Sequence, residues 1–288
     1  MAFTSLEEMT ALCREQEKPL WEIILEDDMH DRDASKEDSW KKMCRMWEAM
    51  LASVENYEGD ITSRSGLVGG MGAKMEAYGA AGNSLCGDFV AKVMATALKT
   101  GESNACMKRI VAAPTAGACG VLPAVLVPFY QESKCGEAKI IEALYVAAGI
   151  GQVIAYRAFI AGASGGCQAE IGSASAMAAG AMTYLKGGDT QQIMQAAAMA
   201  LKNLLGLVCD PVAGLVEVPC VKRNVVGAVN ALSSADMALA GISSKIPPDQ
   251  VIDAMREVGL SMPACVRETG EGGLAATPTG IRAKERLH

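Results

Sequence analysis

Apolar positions along this chain recur at helical rather than strand spacing. Trp40, Met43, Cys44, Trp47, Met50, Leu51 and Val54 fall three or four residues apart, which predicts one buried helical stripe. Ser35, with Asp38 three residues later, resembles a capping box at the start of that stripe. Longer apolar segments at 140–159, 173–185 and 191–205 are each long enough for a helix. Few runs alternate with period two, so little sheet is expected. Residues 111–130 carry no charge over a length that could span a bilayer. They also contain Pro114, Pro123 and Pro128, which would break a lipid-exposed helix, so a buried loop leading into a helix is expected. The apolar stretch 143–156 is short and flanked by Glu142 and Arg157.

Charge divides the chain. Residues 1–60 hold 16 acidic and 7 basic side chains, a net of -9, whereas the remainder carries +2. The expectation is a set of acidic amphipathic helices over 1–60 docked on a helical catalytic domain over 61–288, together one structural unit. From Gly66 small residues dominate, in Gly66–Gly72, Pro114–Gly120 and Ala161–Cys167. The chain has 47 Ala and 30 Gly, and glycine costs about 1 kcal/mol against alanine inside a helix. So many glycines beside helical runs indicate backbone that approaches something closely. The predicted fold is all-α, an Ala/Gly-rich bundle whose loops converge on one site.

Composition removes several functions. Half of the 288 residues are hydrophobic and the net charge is only -7, so the chain can bury a large core and is not disordered. That acidic balance argues against a nucleic-acid partner. The N-terminus shows neither a basic region nor an apolar core of a signal peptide, and a cytoplasmic protein without a membrane association is expected. Ten cysteines there are better read as reduced packing residues and ligands than as disulfides. The only two histidines, His30 and His288, lie at opposite ends, so a Ser-His-Asp triad or a His-based metal site is unsupported. Walker A fails, because Lys74 follows Ala73 and precedes Met75. Gly70-Met-Gly72 and Gly149-Ile-Gly151 both lack the third glycine of a dinucleotide fingerprint.

No C-x-x-C spacing occurs. Three cysteines stand out by context. Cys167 ends a glycine-rich run, and Cys209 and Cys220 bracket a loop with Pro211 and Pro219 beside them. Rigid, donor-poor backbone suits a ligand loop. The competing reading is that all ten cysteines are small hydrophobes in a packed core.

Gly206-Leu-Val-Cys-Asp-Pro-Val-Ala-Gly-Leu-Val-Glu-Val-Pro-Cys-Val-Lys-Arg-Asn224 resembles the signature of the iron–sulfur-dependent L-serine dehydratases, in their alpha chain. Gly165-Gly-Cys-Gln-Ala-Glu-Ile-Gly-Ser-Ala-Ser-Ala-Met177 is similar to a second block of that family. Further matches are Ile110–Gly117, Ser65–Gly70 and Gly273–Gly280. The resemblance covers nearly the whole chain and is weakest over residues 1–60. It departs from the family pattern at Met71-Gly72-Ala73-Lys74, at Cys106-Met-Lys-Arg109 and at Cys119, changes that bear on substrate choice.

The resemblance implies that Cys167, Cys209 and Cys220 hold a 4Fe-4S cluster, without pyridoxal phosphate. Three thiolates on four irons would leave one iron open as a Lewis acid, whereas an electron carrier normally gives each iron a protein ligand. The implied reaction is dehydration of L-serine to pyruvate and ammonia. Elimination from L-cysteine or L-threonine, or a non-catalytic iron–sulfur subunit, are the alternatives. Candidate proton-handling groups are Lys74, Glu170 and Asp210, the last two also candidates for holding the substrate amine. Candidate substrate contacts are Ser63, Ser65, Thr115, Ser173, Ser175, Asn203 and Arg223, with Lys202, Lys222 and Asn224 nearby. Arg223 could instead pair with Asp210. The matched blocks contain no histidine, and the family's Ser-Ser-His-Thr-type block is missing. The resemblance therefore implies a separate beta chain that completes the site in a hetero-oligomer.

Overall fold

The computed structural model describes residues 3–287, and His288 lies outside them. Among the described residues the chain forms thirteen α-helices and no strand. They are α1 (Leu6–Glu15), α2 (Leu20–Arg32), α3 (Lys36–Glu55), α4 (Met71–Ala80), α5 (Gly87–Ala105), α6 (Val121–Ser133) and α7 (Glu137–Arg157), then α8 (Gly162–Gly165), α9 (Ser173–Leu185), α10 (Thr190–Lys202), α11 (Cys220–Leu239), α12 (Pro248–Ser261) and α13 (Pro278–Leu287). A π-helical turn, Gln168–Gly172, runs directly into α9. Extended pairing is limited to two isolated bridges, Thr62 with Gly69 and Cys209 with Arg267. The all-α expectation holds.

Helix α9 is the axis of the body. Every residue from Ser173 to Thr183 is buried, so it has no solvent face. Helices α6, α7, α10 and α11 pack around it. Its run of Ala, Ser and Gly is what admits four neighbours. At Gly180 a Cβ would collide with Ile150 of α7. The Ala excess in the sequence thus becomes close helix packing, in which small side chains let backbones approach.

The first three helices lie against this body. Helix α3 contacts α5, α6 and α7, and α2 contacts α7. Aromatic pairs make the joint: Trp40 stacks on Tyr145 with ring centroids 6.1 Å apart, and Trp47 meets Tyr130 edge-on at 5.4 Å. The Ser39 and Tyr145 hydroxyls hydrogen-bond at 2.7 Å beneath them. Ser35 caps α3 through the Asp38 amide, while the Asp38 carboxylate accepts from the Ser35 hydroxyl rather than from its backbone amide. This is half of the expected capping box. Trp47 is fully buried, and Trp47→Ala is expected to cost about 3–5 kcal/mol. The check is the urea midpoint at unchanged m-value.

The uncharged stretch at 111–130 is a loop and then α6, as expected, but the loop is only partly buried, with Ala112 and Ala116 exposed. Pro123 sits in its first turn, where a missing N–H costs little, and Pro128 lies inside the helix. Among the described residues, α7 alone is long and apolar enough to cross a bilayer. Its residues Ile140 to Ile154 are mostly buried, against α2 and α9. The apolar segments proposed at 140–159 and 191–205 become helices that start and stop slightly earlier. An Asp189–Gln192 capping box sets the start of α10.

Candidate functional site

Two helix starts and one extended segment bring the three singled-out cysteines inward. Cys167 precedes the π-helical turn, Cys220 is the first residue of α11, and Cys209 lies in the extended segment after α10. All three are buried. A helix N-terminus favours a thiolate, because its free N–H groups carry partial positive charge.

Each segment is held by hydrogen bonds that need the tertiary fold. The Gln168 amide donates to Leu207 O at 2.9 Å, and its side chain bonds Gly206 N and Met255 O. That ties the Cys167 turn to the strand-like segment entering Cys209. The Cys209 amide donates to Val266 O at 2.9 Å, and Cys209 O accepts from Glu268 N at 2.8 Å. Asn224 joins a third pair of segments. Its side chain donates to Gly117 O and Cys220 O and accepts from Gly120 N at 2.8 Å.

Charged side chains surround the thiols. Glu170 accepts from Thr115 Oγ1 at 2.7 Å, and the Cys209 thiol points to its other oxygen at 3.9 Å. Gly162 is the close approach that permits this. A Cβ there would sit 2.8 Å from Glu170 Oε2, 2.9 Å from Cys209 Sγ and 3.2 Å from Glu268 Oε2. Arg223 donates to Val208 O at 2.7 Å and to Asp210 at 2.8 Å, and the second Asp210 oxygen accepts from Leu274 N at 2.8 Å. The Arg223–Asp210 alternative is therefore what forms, with both partners largely buried.

Burial pushes the Cys167 thiol up to about 11 and the Cys220 thiol up to about 12. Burial raises Cys209 as well, reinforced by Cys167, Glu170, Glu268 and Cys220 around it. Burial also raises Glu170, with Glu268 adding to the effect and Thr115 opposing it. Burial works against the Arg223 charge, but Cys167 and Asp210 hold it protonated. The site is an assembly of acidic groups that cannot all ionise unaided. A bound metal group reverses that balance by stabilising thiolates directly.

Among the described residues, no three His, Cys, Asp or Glu side chains are gathered as for a single metal ion. A single zinc ion needs each thiolate about 2.3 Å from one point. A four-iron cluster takes each thiolate at a different iron, so a wider spread fits it. All ten cysteines are free; Cys167 and Cys220 help raise the Cys209 thiol, and Cys167 helps raise Cys220. The all-sulfur donor set and the glycine cradle fit an iron–sulfur group.

The family described as serine dehydratase alpha chain matches residues 15–275. The chain belongs to this family. A Bacillus subtilis (strain 168) relative, a probable L-serine dehydratase alpha chain, is 45% identical over 285 residues, covering 99% of this chain and 95% of its own length. The L-serine dehydratase alpha chain of Peptoniphilus asaccharolyticus is 44% identical over 279 residues, covering 96% and 95%. A Streptomyces coelicolor L-serine dehydratase is 37% identical over 95% of this chain, but the match spans only 60% of that longer relative.

In this alpha-chain family member the other candidate residues fall into distinct places. Ser63 donates to Glu217 at 2.8 Å, and Ser65 makes a very short hydrogen bond to the same oxygen. Glu217 is buried in the loop between Cys209 and Cys220, so it ties the serine loop to the cysteine loop. A second buried carboxylate, Glu102, accepts from Met71 N, Gly72 N and Tyr57 Oη at the start of α4. Lys74 lies on the exposed side of α4 and forms no ion pair among the described residues. Ser173 is buried with no hydrogen-bond partner for its hydroxyl among the described residues. Ser175 donates to Gly227 O at 2.8 Å and accepts from Asn230, which also accepts from Asn203. That network joins α9, α10 and α11 rather than the thiols. Lys202 donates to Ser244 O, and Lys222 is exposed. Sequence reasoning missed Glu217, Glu102 and Glu268. For Glu217 the available signal was its position inside the Cys209–Cys220 block.

Proposed function

We propose that this chain is the cluster-bearing part of an iron–sulfur-dependent L-serine dehydratase, which eliminates water from L-serine and yields pyruvate and ammonia. The observation that carries this is that buried Cys167, Cys209 and Cys220 come from three separate segments, that Cys167 and Cys220 both act on the Cys209 thiol, and that Cys209, Glu170 and Glu268 meet at Gly162. The alpha-chain names of the most fully covered relatives support the substrate class. Cys167, Cys209 and Cys220 would hold a 4Fe-4S cluster with no pyridoxal phosphate. When bound, the cluster supplies Lewis acidity at an iron without a protein thiolate, which makes the substrate hydroxyl a better leaving group.

The remaining steps belong to the protein's own residues. Thr115 fixes one Glu170 oxygen and leaves Oε2 beside Cys209, placed to hold or pass a proton at the reacting hydroxyl. Of the three proton-handling candidates, Glu170 alone combines this position with an oxygen met only by the Cys209 thiol. Asp210 has both oxygens engaged, and Lys74 is exposed on α4. Arg223, anchored by Asp210, contributes fixed positive charge next to Cys167. Ser63 and Ser65, held by Glu217, form the wall between the serine loop and the cysteine loop. The buried setting excludes water and strengthens each of these interactions.

Removal of the substrate α-proton falls to a separate beta chain in a hetero-oligomer. Two observations support this. His30 is exposed on α2, so no described histidine serves the thiols. Relatives named as alpha chains are covered almost completely, whereas the Streptomyces dehydratase has a large portion beyond the match. The free cysteines suit a cytoplasmic setting. The test is an anaerobic iron and sulfide count with L-serine turnover, for the reconstituted chain with and without the candidate beta chain. Cluster binding by the chain alone, with turnover only in the pair, is expected. Full turnover by the chain alone refutes the partner, and lack of cluster uptake refutes the ligand set. Comparing kcat/KM for L-serine, L-threonine and L-cysteine separates the elimination substrates.

A further inference from the structure

Helices α9 and α11 both start near the cysteines and end side by side. Gly188, in the turn after α9, shows how closely: a Cβ there would lie 3.1 Å from the Leu239 side chain of α11. Between these far ends and helices α5 and α6 lies a cavity of about 400 Å³. That volume falls within the range of small-molecule sites, about 300–1,000 Å³. Its walls are apolar, with Phe89 from α5, Phe129 from α6, Met182 from α9 and Leu232 from α11. Phe89, Phe129 and Leu232 are only partly buried against the core, so a ligand can reach them from solvent.

Two opposite charges border these apolar walls. Lys186 follows the last residue of α9, and Asp236 lies near the end of α11. Both are exposed, and neither side chain has a hydrogen bond or ion pair among the described residues. They line one cavity without pairing with each other. The third charged wall residue, Glu132, is already held by Lys92 at 2.6 Å. The other clefts lack this arrangement. In the one beside α4, Lys92 and Lys99 are neutralised by Glu132 and Glu76. In the one beneath α3, Asp28 is spent on Arg32 and Ser39.

A cation and an anion held apart on the rim of an apolar cavity complement a zwitterion with an apolar body. We propose that this cavity binds an α-amino acid with a large apolar side chain, at a site separate from the cysteines. Lys186 receives its carboxylate and Asp236 its ammonium. Its side chain displaces water from Phe89, Phe129 and Leu232, and the two rings favour an aromatic group between them. The separation is set by the helix: Leu232 lies about 18 Å along α11 from Cys220, at 1.5 Å per residue. The inference goes beyond the elimination reaction and uses none of its groups, so either can fail without the other.

The experiment is titration calorimetry on the full chain as purified anaerobically, with the metal and partner it retains. The probes are L-phenylalanine, 3-phenylpropanoate, which lacks the ammonium, and 2-phenylethylamine, which lacks the carboxylate. The unaltered protein is expected to bind L-phenylalanine saturably and about fivefold more tightly than either analogue, the upper end for a solvent-exposed ion pair. Lys186→Gln should erase the preference over 2-phenylethylamine and keep that over 3-phenylpropanoate. Asp236→Asn should do the reverse. Both side chains are exposed, so the denaturation midpoints should match that of the unaltered protein. Equal affinity for all three probes would make the cavity an apolar crevice and overturn the proposal. Absence of saturable L-phenylalanine binding up to about 10 mM would overturn it as well. A preference that neither substitution moves would place binding elsewhere, with the same consequence.

Discussion

Alanine in place of Cys167, Cys209 or Cys220 is expected to abolish cluster retention and to lower L-serine turnover more than about 100-fold. Even changes in residues that merely support a metal ligand commonly cost 10- to 100-fold, and loss of a ligand itself exceeds that. The measurement is iron and sulfide per chain after anaerobic reconstitution, followed by turnover with the beta chain present. Cys119→Ala is the matched control. Cys119 is as buried as the three, but its thiol faces Thr100 O at 3.8 Å in the packed interior. Burial alone pushes its pKa up to about 12, with no neighbouring thiol or carboxylate contributing. Cys119→Ala should therefore lower stability and leave iron content unchanged. Retained iron in any of the three ligand variants would overturn the assignment. Loss of iron in the control would extend the ligand set.

Glu170→Gln is expected to lower kcat about 10²- to 10⁴-fold while the cluster is retained. Glutamine is nearly isosteric and still accepts the Thr115 hydroxyl through its carbonyl oxygen. The Thr115 contact and the Cys167 turn should survive, so iron content and the denaturation midpoint should match those of the unaltered chain. What is lost is the oxygen beside Cys209 that can hold a proton. A kcat within threefold of the unaltered holoenzyme, taken as about the noise of such a comparison, would remove Glu170 from proton transfer. The substrate proton would then be handled by the beta chain alone.

The two expected effects also separate what could be read from residue order and what could not. Cys209 and Cys220 were marked by adjacent prolines and Cys167 by its glycine run, because ligand loops need rigid or unhindered backbone. Those signals are local. Thr115 and Glu170 were recognisable as candidates from their blocks, but not as partners, since 55 residues separate them. Ser63 was expected to touch substrate. It donates to Glu217, a carboxylate 154 residues away. Ser175 and Asn203 looked equally suitable by proximity to the cysteine blocks. The side chain of Asn230, on a third helix, draws both into a helix–helix contact.

Residue order by itself determined that this chain is helical, because apolar periodicity, propensity and the absence of alternating runs are properties of near neighbours. It also determined how close the helices could come, since alanine and glycine set the thickness of each surface. Only the tertiary structure decided which carboxylates are spent and which are free. Asp210, Glu170 and Glu268 are the same functional group in sequence. Arg223 and Leu274 N occupy the first, Thr115 and Cys209 border the second, and the third is left open beside Gly162. Charge acts through space rather than along the chain, so their roles exist only after the chain has folded.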